Sequence, residues 1–207
     1  MDAGAICESC FTGIPVHDSL FCPVCHARLP FGKKICHRDA GYLLGGAGPY
    51  GDPTVKALIL QLKFHGVRAA ADPLAELILK YFGRCEFSTD GFLIIPLPLA
   101  KQRERARGFN QSAEIARRIA ARMGLPCKEH ILVRTKHTKP QTETATVTER
   151  RRNVESCFSV ANPSGILRKK ILLIDDVTTS GATFGEAVKT LKAAGARIVI
   201  AVAAAKA

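Results

Sequence analysis

A chain of 207 residues is long enough for one α/β domain with a full core plus a small appendage. Its 47% hydrophobic content excludes large-scale disorder, and no apolar run is long enough to cross a bilayer. The formal charge of +12 is concentrated in residues 101–152, where 14 Lys/Arg face 5 Glu, so a polyanionic partner is favoured beside the plainer reading of a solvated surface.

Eight cysteines would suggest disulfides in a secreted chain, but five crowd the first 36 residues in metal-type spacing. With no signal peptide ahead of them, a cytoplasmic setting is expected. Cys7-x-x-Cys10 and Cys22-x-x-Cys25 stand eleven residues apart, and two such turns complete a tetrahedral four-thiolate site. Cys7, Cys10, Cys22 and Cys25 are therefore the expected ligands of one structural Zn2+, on which a segment of this size depends for folding. Cys36-His37 is a further pair with too few companions for a second site. Cys85, Cys127 and Cys157 read as ordinary packed thiols, and His65, His130 and His137 as isolated residues.

Residues 39–53, rich in glycine, suggest a hinge or a short strand-like connector. Asp52-Pro53 is a helix-start signal, and Val55, Leu58, Ile59 and Leu62 follow helical spacing until Gly66. Asp72-Pro73 repeats the signal ahead of Leu74, Leu77, Ile78 and Tyr81. Lys63 reads either as a substrate contact or as a solvated helix-end lysine.

Phe92 to Leu97 is a core strand closed by Pro96-Leu97-Pro98. The basic stretch 101–108 leads to Asn110, which can cap a helix carrying Ile115 and Ile119 and ending at Gly124. At this strand-to-helix junction Arg107 offers forked donors to a diphosphate and Gly108 lets the backbone approach it. The alternative is a basic surface loop. His130 to Thr135 is strand-like. Residues 136–152 lack apolar periodicity, and a loop of this length is either a lid or disordered; Lys139, Gln141 and Arg151 within it become candidate contacts through the resemblance described below. Phe158 to Val160 resumes a strand.

The most informative stretch is Ile171-Leu172-Leu173-Ile174-Asp175-Asp176-Val177-Thr178-Thr179-Ser180-Gly181-Ala182-Thr183. Four aliphatic residues mark a buried parallel strand, expected over 170–174, and two carboxylates follow where it ends. A loop of small hydroxyl residues then enters a helix, whose N-terminus favours an anion. Asp175 and Asp176 suit a vicinal diol, while the loop from Val177 through Thr183 suits a phosphate, so a ribose 5-phosphate fits both. A helix cap alone would need neither two acids nor four hydroxyls. Nucleotide hydrolysis is disfavoured because no Gly-Lys-Ser/Thr phosphate loop exists, and a dinucleotide fold because the acids precede the loop. Arg197 to Val202 is a last buried strand, and no internal repeat is visible.

Residues 171–183 resemble the phosphoribosyl pyrophosphate signature of type I phosphoribosyltransferases. With Pro-Leu-Pro-Leu and Arg-Gly-Phe-Asn-Gln at 96–111, and Thr-Lys-Pro-Gln and Arg-Arg-Arg-Asn-Val within 135–158, the whole chain resembles the competence protein F (ComF-like, GntX-like) family. The resemblance implies an α/β fold with a parallel sheet of strands at about 92–97, 130–135, 157–160, 170–174 and 197–202. It also implies a zinc module at 1–38, hood-like helices at 39–90 and a transferase core at 91–207. It implies transfer of phosphoribose from phosphoribosyl pyrophosphate with Mg2+ held by Asp175 or Asp176, and a lid at 136–152. The acceptor has no motif here. Two readings stay open: an enzyme linked to DNA uptake, or a non-catalytic factor binding phosphoribosyl pyrophosphate and single-stranded DNA. A protein of the competence machinery is a further partner the resemblance allows.

Overall fold

The structure, a computed structural model, describes residues 5–29, 36–37, 40–86, 88–135 and 156–207. Its centre is a mostly parallel six-stranded sheet flanked by helices. In chain order the strands are β1 (Leu20–Phe21), β2 (Arg28–Leu29), β3 (Leu43–Pro49), β4 (Phe92–Pro96), β5 (Leu132–Arg134), β6 (Phe158–Val160), β7 (Lys170–Thr178) and β8 (Ile198–Lys206). The sheet order is β2-β1-β3-β8-β7-β4, with β3, β8, β7 and β4 mutually parallel and the β1–β2 hairpin antiparallel at one edge. Phe21 pairs with Leu44, so the cysteine-bearing hairpin is hydrogen-bonded to the main sheet.

Among the described residues the α-helices are α1 (Glu8–Thr12), α2 (Pro53–Phe64), α3 (Ala71–Arg84), α4 (Lys101–Arg107), α5 (Gln111–Met123) and α6 (Ala182–Ala193). The expected α2 forms as its sequence dictates. Asp52 accepts from the Thr54 and Val55 N–H groups at 2.9 Å, Pro53 opens the first turn, and Val55, Leu58, Ile59 and Leu62 are buried. Asn110 caps α5 through the Ser112 N–H, and Gly124 ends it in the left-handed region.

The helix start expected at Asp72 is different. A 3-10 turn at Arg68–Ala70 runs directly into α3, which begins at Ala71, and Asp72 instead accepts from Arg118 and Arg122 of α5. Arg118 also binds Glu114, a buried acid that Arg117 and Arg68 share. Burial opposes the charge on Glu114, but these three guanidiniums outweigh it and hold its pKa below the usual value. The network clamps α5 to α3 and so sets the position of the α5 N-terminus.

Three further expectations are corrected. The segments near 130–135 and 157–160 do not join the parallel sheet; β5 and β6 pair antiparallel with each other, and residues 126–128 bond to Ile94 of β4 instead. The Gly-rich connector contains β3, an interior strand of the sheet. Its glycines answer to close packing rather than to flexibility: a Cβ on Gly46 would lie 2.6 Å from Lys206 Cβ, and one on Gly45 would meet Tyr81 at 3.1 Å. Residues 101–107, for which no helix was expected, form α4, and Gly108 ends it at φ 81°. The residues 136–155, with the lid candidates Lys139, Gln141 and Arg151, lie outside the described set.

Gly46→Ala is expected to lower unfolding free energy by about 1–3 kcal/mol through overpacking against Lys206. Gly51→Ala, with open space around the new methyl, should stay within about 0.5 kcal/mol of wild type. Urea unfolding of the two variants checks the contrast.

Candidate functional site

Parallel neighbours place the carboxyl ends of β4 and β7 on one rim, and the chain leaves that rim into α4–α5 and into α6. The expectation that β7 stops at Ile174 is corrected. The ladder with β8 continues through Asp175–Ala203 and Val177–Ala205 to Thr178–Lys206. Backbone pairing is indifferent to the acidic side chains, and the small residues Ala203, Ala204 and Ala205 leave room beside them.

The two adjacent acids at the end of the strand are held by different partners. Asp176 shares its side with Leu172 and Ile174, which pack in the core with α2 residues. It is buried, and Lys63 at the end of α2 reaches it with Nζ 2.5 Å from Oδ2. Asp175 is half-buried; its Oδ1 accepts from Ser112 Oγ at 2.6 Å and from the Asp176 N–H at 2.8 Å. Burial, and then the charge of Asp176, push the Asp175 pKa up to about 8, against the opposing effects of Ser112 and Lys63. For Lys63 burial works against the ammonium, but Asp176 and Asp175 prevail and its pKa is raised.

Arg107, the last residue of α4, donates to Gln111 Oε1 at 2.5 Å and feels the charges of both Asp176 and Asp175. Desolvation is the larger effect on it and lowers its pKa. Its guanidinium lies 5.8 Å from the centre of the Phe64 ring, which is 70% exposed at the lip of the site. Gly108 accepts from Arg68 through its carbonyl, and its positive φ explains the glycine as a helix terminator. Arg134 of β5 also lies within electrostatic reach of Asp175.

On the loop side, Gly181 at φ 69° opens α6 with no side-chain cap, and Tyr42 donates to its carbonyl at 3.4 Å. The Ser180 hydroxyl is buried with no hydrogen-bond partner among the described residues. Thr178 is buried in the ladder, while Val177, Thr179, Ala182 and Thr183 are partly exposed around it. The structure thus brings Asp175, Asp176, the 177–183 loop and the Arg107–Gly108 corner to one rim.

The cysteines divide differently from the expectation. Cys22 and Cys25 lie in the turn between β1 and β2 and gather with Cys36 and His37, all four ligand atoms within 4.8 Å of one another. Cys25 Sγ is 3.3 Å from Cys36 Sγ, and His37 Nδ1 is 3.5 Å from Cys22 Sγ. A tetrahedral zinc with Zn–S bonds of about 2.3 Å spaces its sulfurs about 3.8 Å apart, so this set fits the ion. Burial opposes ionisation of Cys22, but the Cys25 and Val24 backbone N–H groups and the neighbouring thiols bring its pKa down to about 6. Cys7 and Cys10 are not part of this cluster. They interact with each other on α1, where the Ser9 hydroxyl and Cys10 lower the Cys7 pKa to about 7. Docking explains the separation. Lys80 of α3 lies 4.3 Å from the Phe11 ring centre and Arg84 donates to the Val16 carbonyl, holding α1 over a cavity of about 380 Å³ against α3.

The phosphoribosyl transferase domain family matches residues 109–207. DNA utilization protein YhgH of Salmonella typhimurium is 30% identical over 202 residues, covering 94% of this chain and 87% of that protein. The chain belongs to the competence protein F family. Competence protein F of Haemophilus influenzae is 33% identical over 103 residues, 49% of this chain and 44% of its own length. Competence protein ComFC of Bacillus subtilis is 26% identical over 196 residues, 90% of this chain and 77% of its own. Among solved structures, glutamine phosphoribosylpyrophosphate amidotransferase from B. subtilis, complexed with ADP and GMP, superposes with a TM-score of 0.44 at 18% identity. That likeness covers 66% of this chain, which spans about a quarter (26%) of that enzyme's length. Among the described residues, no helix is long and apolar enough to cross a membrane.

Two features of this competence protein F relative escape the sequence reading. Ser112 reaches Asp175 because the Asn110 cap aims the first turn of α5 at the strand end, and a lone serine carries no such signal. His37 joins the metal cluster because an adjacent Cys-His pair supplies two ligands from one turn; the pair itself was the available clue.

Two outcomes follow. Zinc analysis should find about one ion per chain in wild type and in Cys7→Ser/Cys10→Ser, and loss of the ion in Cys22→Ser or Cys36→Ser. The Asp175 proton is held more tightly in the fold, so its stabilising contribution is complete below the unfolded pKa near 4 and is lost as pH rises through about 8. Asp175→Asn removes that slope, at most about 1.4 kcal/mol per pH unit. Urea unfolding from pH 5 to 8 should therefore show the variant gaining on wild type as pH rises.

Proposed function

We propose that this chain binds 5-phosphoribosyl pyrophosphate and transfers its phosphoribosyl group to an acceptor, in a process tied to DNA uptake. The observation that carries the reading is the buried, unpartnered Ser180 hydroxyl at the uncapped start of α6, beside the acid pair. An uncapped helix N-terminus and a free hydroxyl suit a phosphate, and the half-buried Asp175 suits the ribose hydroxyls next to it. The names of the relatives, which speak of competence and DNA utilization, support the link to DNA.

In this scheme the loop from Val177 to Thr183 holds the 5-phosphate, and Asp175 orients the sugar from the opposite side. Arg107 and the Gly108 backbone meet the diphosphate. The acceptor lone pair forms a bond to the anomeric carbon as the bond to the diphosphate oxygen breaks, and the electron pair leaves on pyrophosphate. The oxocarbenium-like state needs positioning and neutralisation of the leaving group, which a fixed guanidinium supplies. The carboxylate chemistry of Asp175 fits magnesium, which would add charge neutralisation at the diphosphate, with Asp175 giving it an oxygen directly or through water. The 136–152 segment, with Lys139, Gln141 and Arg151, is proposed as the covering loop.

The second reading, a phosphoribosyl pyrophosphate- and single-stranded-DNA-binding factor without turnover, is favoured by the exposed cations Lys101 and Arg105 of α4 beside the rim. Calorimetric titration with phosphoribosyl pyrophosphate and Mg2+ should give binding that falls about tenfold or more in Asp175→Asn/Asp176→Asn. Absence of binding to wild type overturns both readings. Acceptor-dependent pyrophosphate release selects the enzyme. Saturable binding without release, with DNA affinity that drops steeply with salt, selects the binding factor.

A further inference from the structure

Lys63 sends its charge into the site rather than away from it. A helix-end lysine normally extends its ammonium into water. This one turns inward, and its side chain is 22% exposed against 3% for the Asp176 side chain that it contacts at 2.5 Å. The contact crosses between elements far apart in sequence, from the last turn of α2 to the rim end of β7. Arg107 stands close enough to be felt by Lys63, so two acids from one strand are met by two cations from two helices.

A divalent cation binding to a protein carboxylate needs open oxygens and a net negative potential around them. The second condition is not met here, because Lys63 and Arg107 offset the charges of the two acids. Asp176 Oδ2 is taken by the ammonium, and Asp175 Oδ1 already accepts two hydrogen bonds. We infer that Lys63 is the resident counter-ion of the acid pair: it occupies the place on Asp176 that a divalent cation would take, so the free chain binds no such ion at the rim. The metal must then enter together with the diphosphate. This last clause rests on the ligand proposed above, whereas the counter-ion role rests on the geometry alone. Lys63 acts through Asp176 and is a positioning residue.

Mn2+ is a suitable probe because its sharp EPR spectrum disappears on binding. Full-length wild type should leave added Mn2+ free up to about millimolar concentration, a range typical of weak sites. Adding phosphoribosyl pyrophosphate should bring the ion onto the protein. Lys63→Met should bind Mn2+ alone about tenfold more tightly than wild type or better, a gain of about 1.4 kcal/mol. Lys63→Arg should behave as wild type, and Lys63→Met/Asp176→Asn should lose the gain. A merely structural lysine predicts no new ion site in any of these variants. The proposal is overturned if Lys63→Met, folded by near-ultraviolet circular dichroism, binds Mn2+ no better than wild type. It is also overturned, without recourse to any variant, if wild type alone takes up Mn2+ at the acid pair at micromolar concentration. Should Lys63→Met gain the ion while wild type ignores phosphoribosyl pyrophosphate, the counter-ion role stands and the ligand assignment falls.

Discussion

Two carboxylates side by side at the end of a buried strand repel each other and lose hydration, and the surrounding fold is arranged to hold them. Each finds a different remedy. Asp176 is neutralised by an ammonium from α2. Asp175 accepts a hydroxyl and a backbone N–H and has its pKa raised to about 8, chiefly by burial. Removing one partner from a buried ion pair costs about 3–5 kcal/mol in typical cases, so α2 is tied to the site by electrostatics as well as by its apolar face. The same acids define the rim on which Arg107, Gly108 and the 177–183 loop converge.

That convergence depends on rigid supports outside the rim. The Glu114 cluster and its arginines lock α5 against α3, and the Asn110 cap fixes how the chain enters α5. Ser112 and Arg107 lie on either side of that cap. At the other corner, Tyr42 from the residue before β3 holds the Gly181 carbonyl and steadies the entrance to α6. Groups that would handle a sugar phosphate are thus carried by helix starts and strand ends rather than by long loops.

Much of this was legible from residue order, and the failures have physical causes. Ile171–Ile174 with the acids and the small loop announced both β7 and the site, because aliphatic runs and paired acids have few other uses. The strand's true length was hidden because ladder bonds belong to the backbone, and nothing in Asp175–Thr178 advertises that Ala203–Lys206 will pair with it. β3 was read as a connector because glycine is rare in strands, yet each glycine there admits a neighbour that a side chain would displace. The cysteines gather differently from the expectation, with Cys36 and His37 beside Cys22 and Cys25, because two CxxC motifs look equivalent on paper whereas docking of α1 against α3 keeps the first apart. Lys63 was undecidable from sequence, since only tertiary structure shows which way a helix-end lysine turns.

The position of β8 bears on how the molecule is made. It is the last element in chain order, yet it lies between β3 and β7, pairing Leu43 with Ile200 and Ile174 with Val202. Until it arrives, both of those strands present bare edges, and the two parts of the sheet have no ladder joining them. During synthesis both neighbours therefore emerge before the strand that joins them, and the long-range closure it makes is slow and leaves apolar edges open to other chains until then.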